Sequence, residues 1–181
     1  MNYIIFDLEA TCWRDRNNGK KNEIIEIGAL KIDETGQIID SFEAFVKPVG
    51  NPILSEFCTE LTTITQDQVD QAPEFPQVIQ QFKDWIGVGR EDYLLCSWGF
   101  YDKKQIRSDC EMHGLEYRWA FQHISVKHQH GKLRELQKPL GLGQAIDLEE
   151  MTFTGTAHRG IDDARNIAKI FIRYLGKWKI K

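Results

Sequence analysis

Asp7 and Glu9 stand one residue apart at the end of an apolar run, and Asp102 follows a second such run. His158 and Asp163 lie five apart near the start of the last long periodic segment. Four carboxylates gathered in one place cannot neutralise one another and demand cations. Two divalent ions, Mg²⁺ or Mn²⁺, held roughly 3.5–4 Å apart are a known arrangement for opening phosphodiesters. A histidine beside them supplies a group that can take up a proton near neutral pH. If the five residues share a site, its chemistry is metal-assisted phosphodiester hydrolysis.

Each segment alone has a plainer reading. Asp-Leu-Glu after Ile4-Ile5-Phe6 is an ordinary strand exit, although a strand continuing through Glu9 would put both carboxylates on one face of a sheet. Asp102, before Lys103-Lys104, looks like a helix N-cap. Asp162 and Asp163 suit a helix N-terminus by charge alone, and a histidine there is usually exposed or structural. The joint pattern of residue types and chain order, not any one piece, carries the site.

The elements that must position these residues follow from periodicity. Residues 3–6 read as a strand buried on both faces, with its acids at the C-terminal end. After a polar loop at 14–22, strands are predicted at 24–32 and 38–46, joined by a turn at 33–37, and Pro48 and Pro52 end this meander. Helices are predicted at 65–71 and 74–86, a buried strand at 93–97, and a periodic segment after Asp102 through Ile106, Cys110 and Leu115. A histidine-rich stretch at 122–130 precedes a short predicted helix around 133–137, and the last helix runs over about 162–175. Leu140-Gly141-Leu142-Gly143 reads as a turn. The sum is an α/β class chain whose mixed central sheet has three antiparallel strands, then parallel strands, with helices packed on it.

At 181 residues and 41% hydrophobic, the chain is sized for one domain spanning 1–181. A net charge of −4 argues against coating nucleic acid by bulk electrostatics and suits a metal site better. Four cysteines without Cys-x-x-Cys spacing, and no signal-peptide pattern, lead to the expectation of a reduced cytoplasmic compartment. No apolar run approaches the roughly 20 residues needed to cross a bilayer, so no membrane partner is expected. His123, His128 and His130 lack a cysteine or acid nearby in sequence to complete a zinc-like set.

Taken together, Phe6-Asp7-Leu8-Glu9-Ala10-Thr11, the mid-chain Asp102 and His158-x-x-x-x-Asp163 resemble the three motifs of the DEDDh exonucleases, within the RNase H-like superfamily. Phe57-Cys58-Thr59-Glu60-Leu61-Thr62-Thr63-Ile64-Thr65-Gln66-Asp67-Gln68-Val69 and the run after His158 resemble the branch that trims histone mRNA and small RNAs. One departure is Thr63, where that branch usually has glycine; another is that no segment resembles the SAP-type domain of larger animal members, whose specificity is therefore expected to be absent. The resemblance implies an RNase H-like exonuclease fold. It implies that Asp7, Glu9 and Asp163 ligate a first ion, that Asp7 and Asp102 hold a second, and that Glu9 and His158 act in catalysis with His158 as base. It further implies 3′-to-5′ action on single-stranded nucleic-acid ends, RNA preferred. Leu8, Ala10, Thr11, Phe57, Leu61, Trp98 and His158 are candidates to contact the terminal nucleotide, and Arg159, Lys103 and Lys104 to contact phosphates, although solvated surface charge is the favoured reading of the two lysines. Trp98 and Phe57 have core packing as their alternative. A DNA exonuclease for proofreading or repair is the nearest rival, and a non-catalytic RNA-end adaptor the rival from another class. Oligomeric state is not readable from the sequence.

Overall fold

A computed structural model of the chain describes residues 1–15 and 19–180, so the middle of the polar loop read at 14–22 lies outside the described residues. β1 (Asn2–Ala10) is the hub of the sheet, pairing antiparallel with β2 (Ile24–Ile32) and parallel with β4 (Tyr93–Ser97). β3 (Ile38–Phe45) continues the antiparallel meander, and β5 (His123–Ser125) adds a parallel edge, giving the order β3-β2-β1-β4-β5. The expected mixed sheet is present, with β5 as a strand that the sequence reading did not identify. Three residues are too few for a periodicity signal to emerge.

Side-chain alternation along β1 divides the core. Ile4, Phe6 and Leu8 face one side, where α3 (Phe75–Ile86) brings Val78, Ile79 and Phe82 and α4 (Tyr101–Met112) brings Ile106 and Cys110. Ile5 faces the other, against Ile167, Ile170 and Phe171 of α7 (Gly160–Arg173). By the same period of two, Asp7 and Glu9 share the α7 face. Each fully buried side chain of this size contributes roughly 1.5–3 kcal/mol of transfer free energy, so the alternation fixes register and aims the acids.

Several local expectations are corrected. α1 (Glu56–Thr62), started by Ser55 Oγ accepting from the Cys58 N–H, went unread because seven residues show too little periodicity. The helix expected around 133–137 is instead α5 (Val126–Leu133), because Ser125 caps it and Glu135 beyond it takes a positive φ of 53°. Leu140-Gly141-Leu142-Gly143 is not only a turn: Gly141 is the N-cap of α6 (Leu142–Leu148). α2 (Gln66–Asp70) matches its expectation, with a capping box between Thr65 and Gln68. Among the described residues no helix is long and apolar enough to cross a membrane.

A buried polar clamp ties α5, α6 and α7 together. Glu149, at the end of α6, accepts from Tyr174 Oη (2.9 Å) and Arg173 Nη1 (3.0 Å) and lies 2.8 Å from His130 Nε2. Burial alone would raise this carboxyl, but His130, Arg173 and Tyr174 together hold it down at about 2.

α1 ends at Thr63 with φ 61°, in the left-handed region that favours glycine, which explains why glycine is the usual residue there in the branch the sequence resembles. A β-branched residue in that region carries strain on the order of 1–3 kcal/mol. Thr63→Gly is therefore expected to raise the unfolding free energy by about 1 kcal/mol, after allowing for glycine's greater freedom in the unfolded chain. Denaturant unfolding checks this, and an unchanged or lower stability would contradict it.

Candidate metal centre

β1 runs as a strand through Glu9, so Asp7 and Glu9 do emerge on one face; the ladder to β2 shifts register only between Glu9 and Ala10. Asp102 does not cap α4. Phe100 holds the N-cap position, and Asp102, in the first turn, is 4% exposed, with Ser97 and the Leu8 backbone N–H beside it favouring its charged form. Ser97 Oγ in turn lies 2.9 Å from His123 Nε2, so a Ser97–His123 pair stands behind this carboxylate. Neither residue was singled out from sequence for this role.

Asp163 reaches the same place because two glycines meet. A side-chain carbon on Gly28 of β2 would sit 2.0 Å from the Ile161 nitrogen, and one on Gly160 would lie 3.1 Å from both the Asp7 carbonyl oxygen and the Gly28 nitrogen. Backbone therefore rests directly on backbone where α7 begins. Glu26, fully buried in the strand position opposite Glu9, locks this contact. Its carboxylate accepts from the Gly160 N–H (3.0 Å) and from Arg159 Nε and Nη2 (both 3.2 Å). Arg159 also reaches Glu43 at 3.4 Å. Arg159, read from the sequence as a phosphate contact, has its guanidinium engaged by two carboxylates, where it braces the helix start. Glu26 was missed in sequence, although a lone acid in the run Ile-Ile-Glu-Ile-Gly was the available signal.

His158 lies on the exposed loop before α7 with φ 62°, and its N–H donates to Asp163 Oδ2 at 3.2 Å. Ligand atoms of Glu9, His158 and Asp163 all fall within 4.8 Å of one another. Asp7 joins them. Burial pushes its carboxyl well above the usual carboxylate range, reinforced by Asp102, Asp163, Glu9 and Glu26 in that order. Glu9 is pushed up to about 8 by burial, then by Asp163, Glu26 and Asp102. Burial also raises Asp102 and Asp163, each to about 6, against the hydrogen bonds that hold them down. All five sequence-predicted site residues are thus brought together. Carboxylates that destabilise each other's charge, with one imidazole at the rim, form a donor set suited to hard divalent cations.

The candidate nucleotide contacts divide. Phe57 and Leu61 sit one turn apart on α1, both half-buried, and α1 packs on the exit of β1 through Cys58 Sγ and the Ala10 carbonyl (3.7 Å). Arg14 lies 5.3 Å above the Phe57 ring. The Leu8 side chain is 5% exposed and lies in the core of the opposite face, so it is the Leu8 backbone that stands beside Asp102. Ala10 and Thr11 are also buried, and the Thr11 hydroxyl accepts from the Glu23 N–H at 2.9 Å. Trp98 packs against the α7-side core, its Nε1 donating to the Leu140 carbonyl at 3.2 Å. The histidines at 123, 128 and 130 turn to Ser97, Ser125 and Glu149 respectively.

A family model described as "Exonuclease" (RNase T) matches residues 4–171. The human protein named 3′-5′ exoribonuclease 1 is 34% identical over 179 residues, covering 94% of this chain and 51% of that protein. ERI1 exoribonuclease 2 of Danio rerio is also 34% identical, over 193 residues, covering 95% of this chain and 34% of that protein. The chain spans about half the length of the first of these curated relatives and about a third of the second. Among solved structures, the nuclease domain of 3′hExo, a DEDDh family member bound to rAMP, superposes with a TM-score of 0.89 at 32% identity. It covers 99% of this chain and 96% of that one. The expected RNase H-like exonuclease architecture is thereby shown.

The raised carboxyls set a pH dependence for the metal-free protein. Glu9 ordinarily titrates at 4.5 and in the fold at about 8, so between these values the native chain holds more protons than the unfolded one. Its contribution is fully present below 4.5 and lost as pH rises through 8, so stability falls with rising pH across that window. Glu9→Gln is expected to flatten this slope and raise the melting temperature at pH 8, by about 2–4 °C for each kcal/mol of relieved repulsion. Saturating Mn²⁺ should flatten it in the unmutated protein. Thermal melts across the window check this; stability rising with pH in the metal-free protein would contradict it.

Proposed function

Because this chain belongs to the exonuclease family, we propose that it is a divalent-metal-dependent 3′-to-5′ exoribonuclease acting on single-stranded ends and releasing nucleoside 5′-monophosphates. The observation that carries the reading is the convergence of Asp7, Glu9, Asp102 and Asp163 beside His158, with every carboxyl raised by its surroundings. The relatives' names, and the rAMP held by the 3′hExo nuclease domain, support RNA as the substrate.

Asp7, Glu9 and Asp163 would hold one Mg²⁺ or Mn²⁺, and Asp7 with Asp102 a second. When bound, these ions neutralise the carboxylates, lower the pKa of the attacking water and stabilise the departing oxygen. His158, at the solvent rim beside Glu9 and Asp163, takes the proton from that water. The phosphorus–oxygen bond to the 3′ oxygen of the penultimate nucleotide breaks, leaving the phosphate on the released nucleotide. Ser97 and the Leu8 N–H favour the charged form of Asp102. Phe57 and Leu61 offer an apolar wall against which the terminal base stacks, a contact worth roughly 1–3 kcal/mol and indifferent to sequence. Four free cysteines suit a reducing, cytoplasmic setting.

With Mn²⁺ and matched single-stranded oligonucleotides, the wild type is expected to release 5′-monophosphates from RNA faster than from DNA. Asp7→Asn should reduce this to background with the fold intact, and His158→Ala should lower kcat by about 10²–10⁴-fold. Equal or faster cleavage of DNA would overturn the RNA preference. Full activity in Asp7→Asn would overturn the site.

A further inference from the structure

Two open cavities of about 660 and 550 Å³ adjoin on the β4–β5 side of the sheet and share Phe100 and Phe121. Their walls carry Lys103, Lys104, Arg107, Lys132, Lys177 and Lys179, and no aspartate or glutamate. In a chain with 27 acidic residues against 23 basic ones, this is a marked segregation of charge. Arg107 shares its charge with Glu111 at 2.8 Å, outside the lining, and the lysines dominate the groove. The aromatic content is equally uneven. Phe100 and Phe121 are 46% and 55% exposed, unusual for phenylalanine, and Phe100 lies 4.8 Å from the His128 ring.

Lysines interleaved with exposed ring faces match a flexible polyanion that carries rings of its own, which is single-stranded nucleic acid. The groove also communicates with the metal centre. His123 lines it and lies 2.9 Å from Ser97 Oγ at the end of β4, and Phe100 lies two residues before Asp102. We propose that this groove binds the body of the strand whose 3′ end is being cut, as a second contact that favours longer single-stranded substrates. The proposal rests on the exonuclease reading above. An anionic membrane also attracts lysines and phenylalanines, but recessed cavities whose walls include Phe100, Lys103 and Lys104, the residues flanking Asp102 in the chain, favour a strand.

The test uses Lys132→Glu/Lys179→Glu and, separately, Phe121→Ala, all at exposed positions away from the metal ligands. For an unstructured RNA of about 16 nucleotides, both variants are expected to raise KM by about tenfold with kcat unchanged. The lysine variant should also flatten the dependence of log KM on log salt by about 0.7 for each phosphate left without a lysine partner. Hydrolysis of a trinucleotide, too short to reach the groove, should match wild type. Unchanged KM and salt slope on the long RNA overturn the proposal, as does loss of binding to phosphatidylserine vesicles with RNA binding intact. Absence of hydrolysis on every RNA by the wild type would overturn the exonuclease reading alone. Binding of the long RNA to Asp7→Asn protein, with and without the groove substitutions, would still decide the groove.

Discussion

The site depends on one contact: the start of α7 resting directly on β2 at Gly28 and Gly160. Any side chain at Gly28 would overlap the Ile161 nitrogen, so the helix approaches only over bare backbone. That approach carries Asp163 to the end of β1, where strand alternation already presents Asp7 and Glu9. Glu26 fastens it by accepting from the Gly160 N–H and gripping Arg159. A buried carboxylate satisfied by a guanidinium and a backbone donor holds a fixed geometry, whereas an unpaired one would be expelled or protonated. Glu26 thus serves the site without belonging to its ligand set, and the left-handed His158 backbone is the turn that lets the chain enter α7 there.

Bringing carboxylates together opposes stability. Burial and mutual repulsion raise Asp7, Glu9, Asp102 and Asp163 together, in contrast to Glu149, whose three donors keep it ionised. The two clusters show the same physics with opposite sign: one is complete within the protein, the other calls for cations. Where a fold stores unfavourable charge beside an exposed histidine, function rather than stability accounts for the arrangement.

Much of this was legible in the sequence where long periodic runs were involved. β2, α3 and α7 lie close to where their apolar spacing puts them, and β1 needed only its extension through Glu9 to place both acids on one face. The five site residues were found through their joint order, since Asp102 alone read more readily as a cap, a position that Phe100 holds. What stayed hidden was short or tertiary. α1 and β5 are too brief to show a period, and the interactions of Arg159 with Glu26, and of Ser97 with His123, join residues far apart in the chain. Leu8 was placed at the site by sequence adjacency alone, and strand alternation turns it away.

The central claim is that these carboxylates are held together to bind divalent cations and surrender protons when they do. Titrating Mn²⁺ into the metal-free protein near pH 6, in buffers of different ionisation enthalpy, measures both events at once. The account predicts saturable binding with protons released to the buffer, both abolished by Asp7→Asn. Binding without proton release, or binding that survives that substitution unchanged, would contradict it.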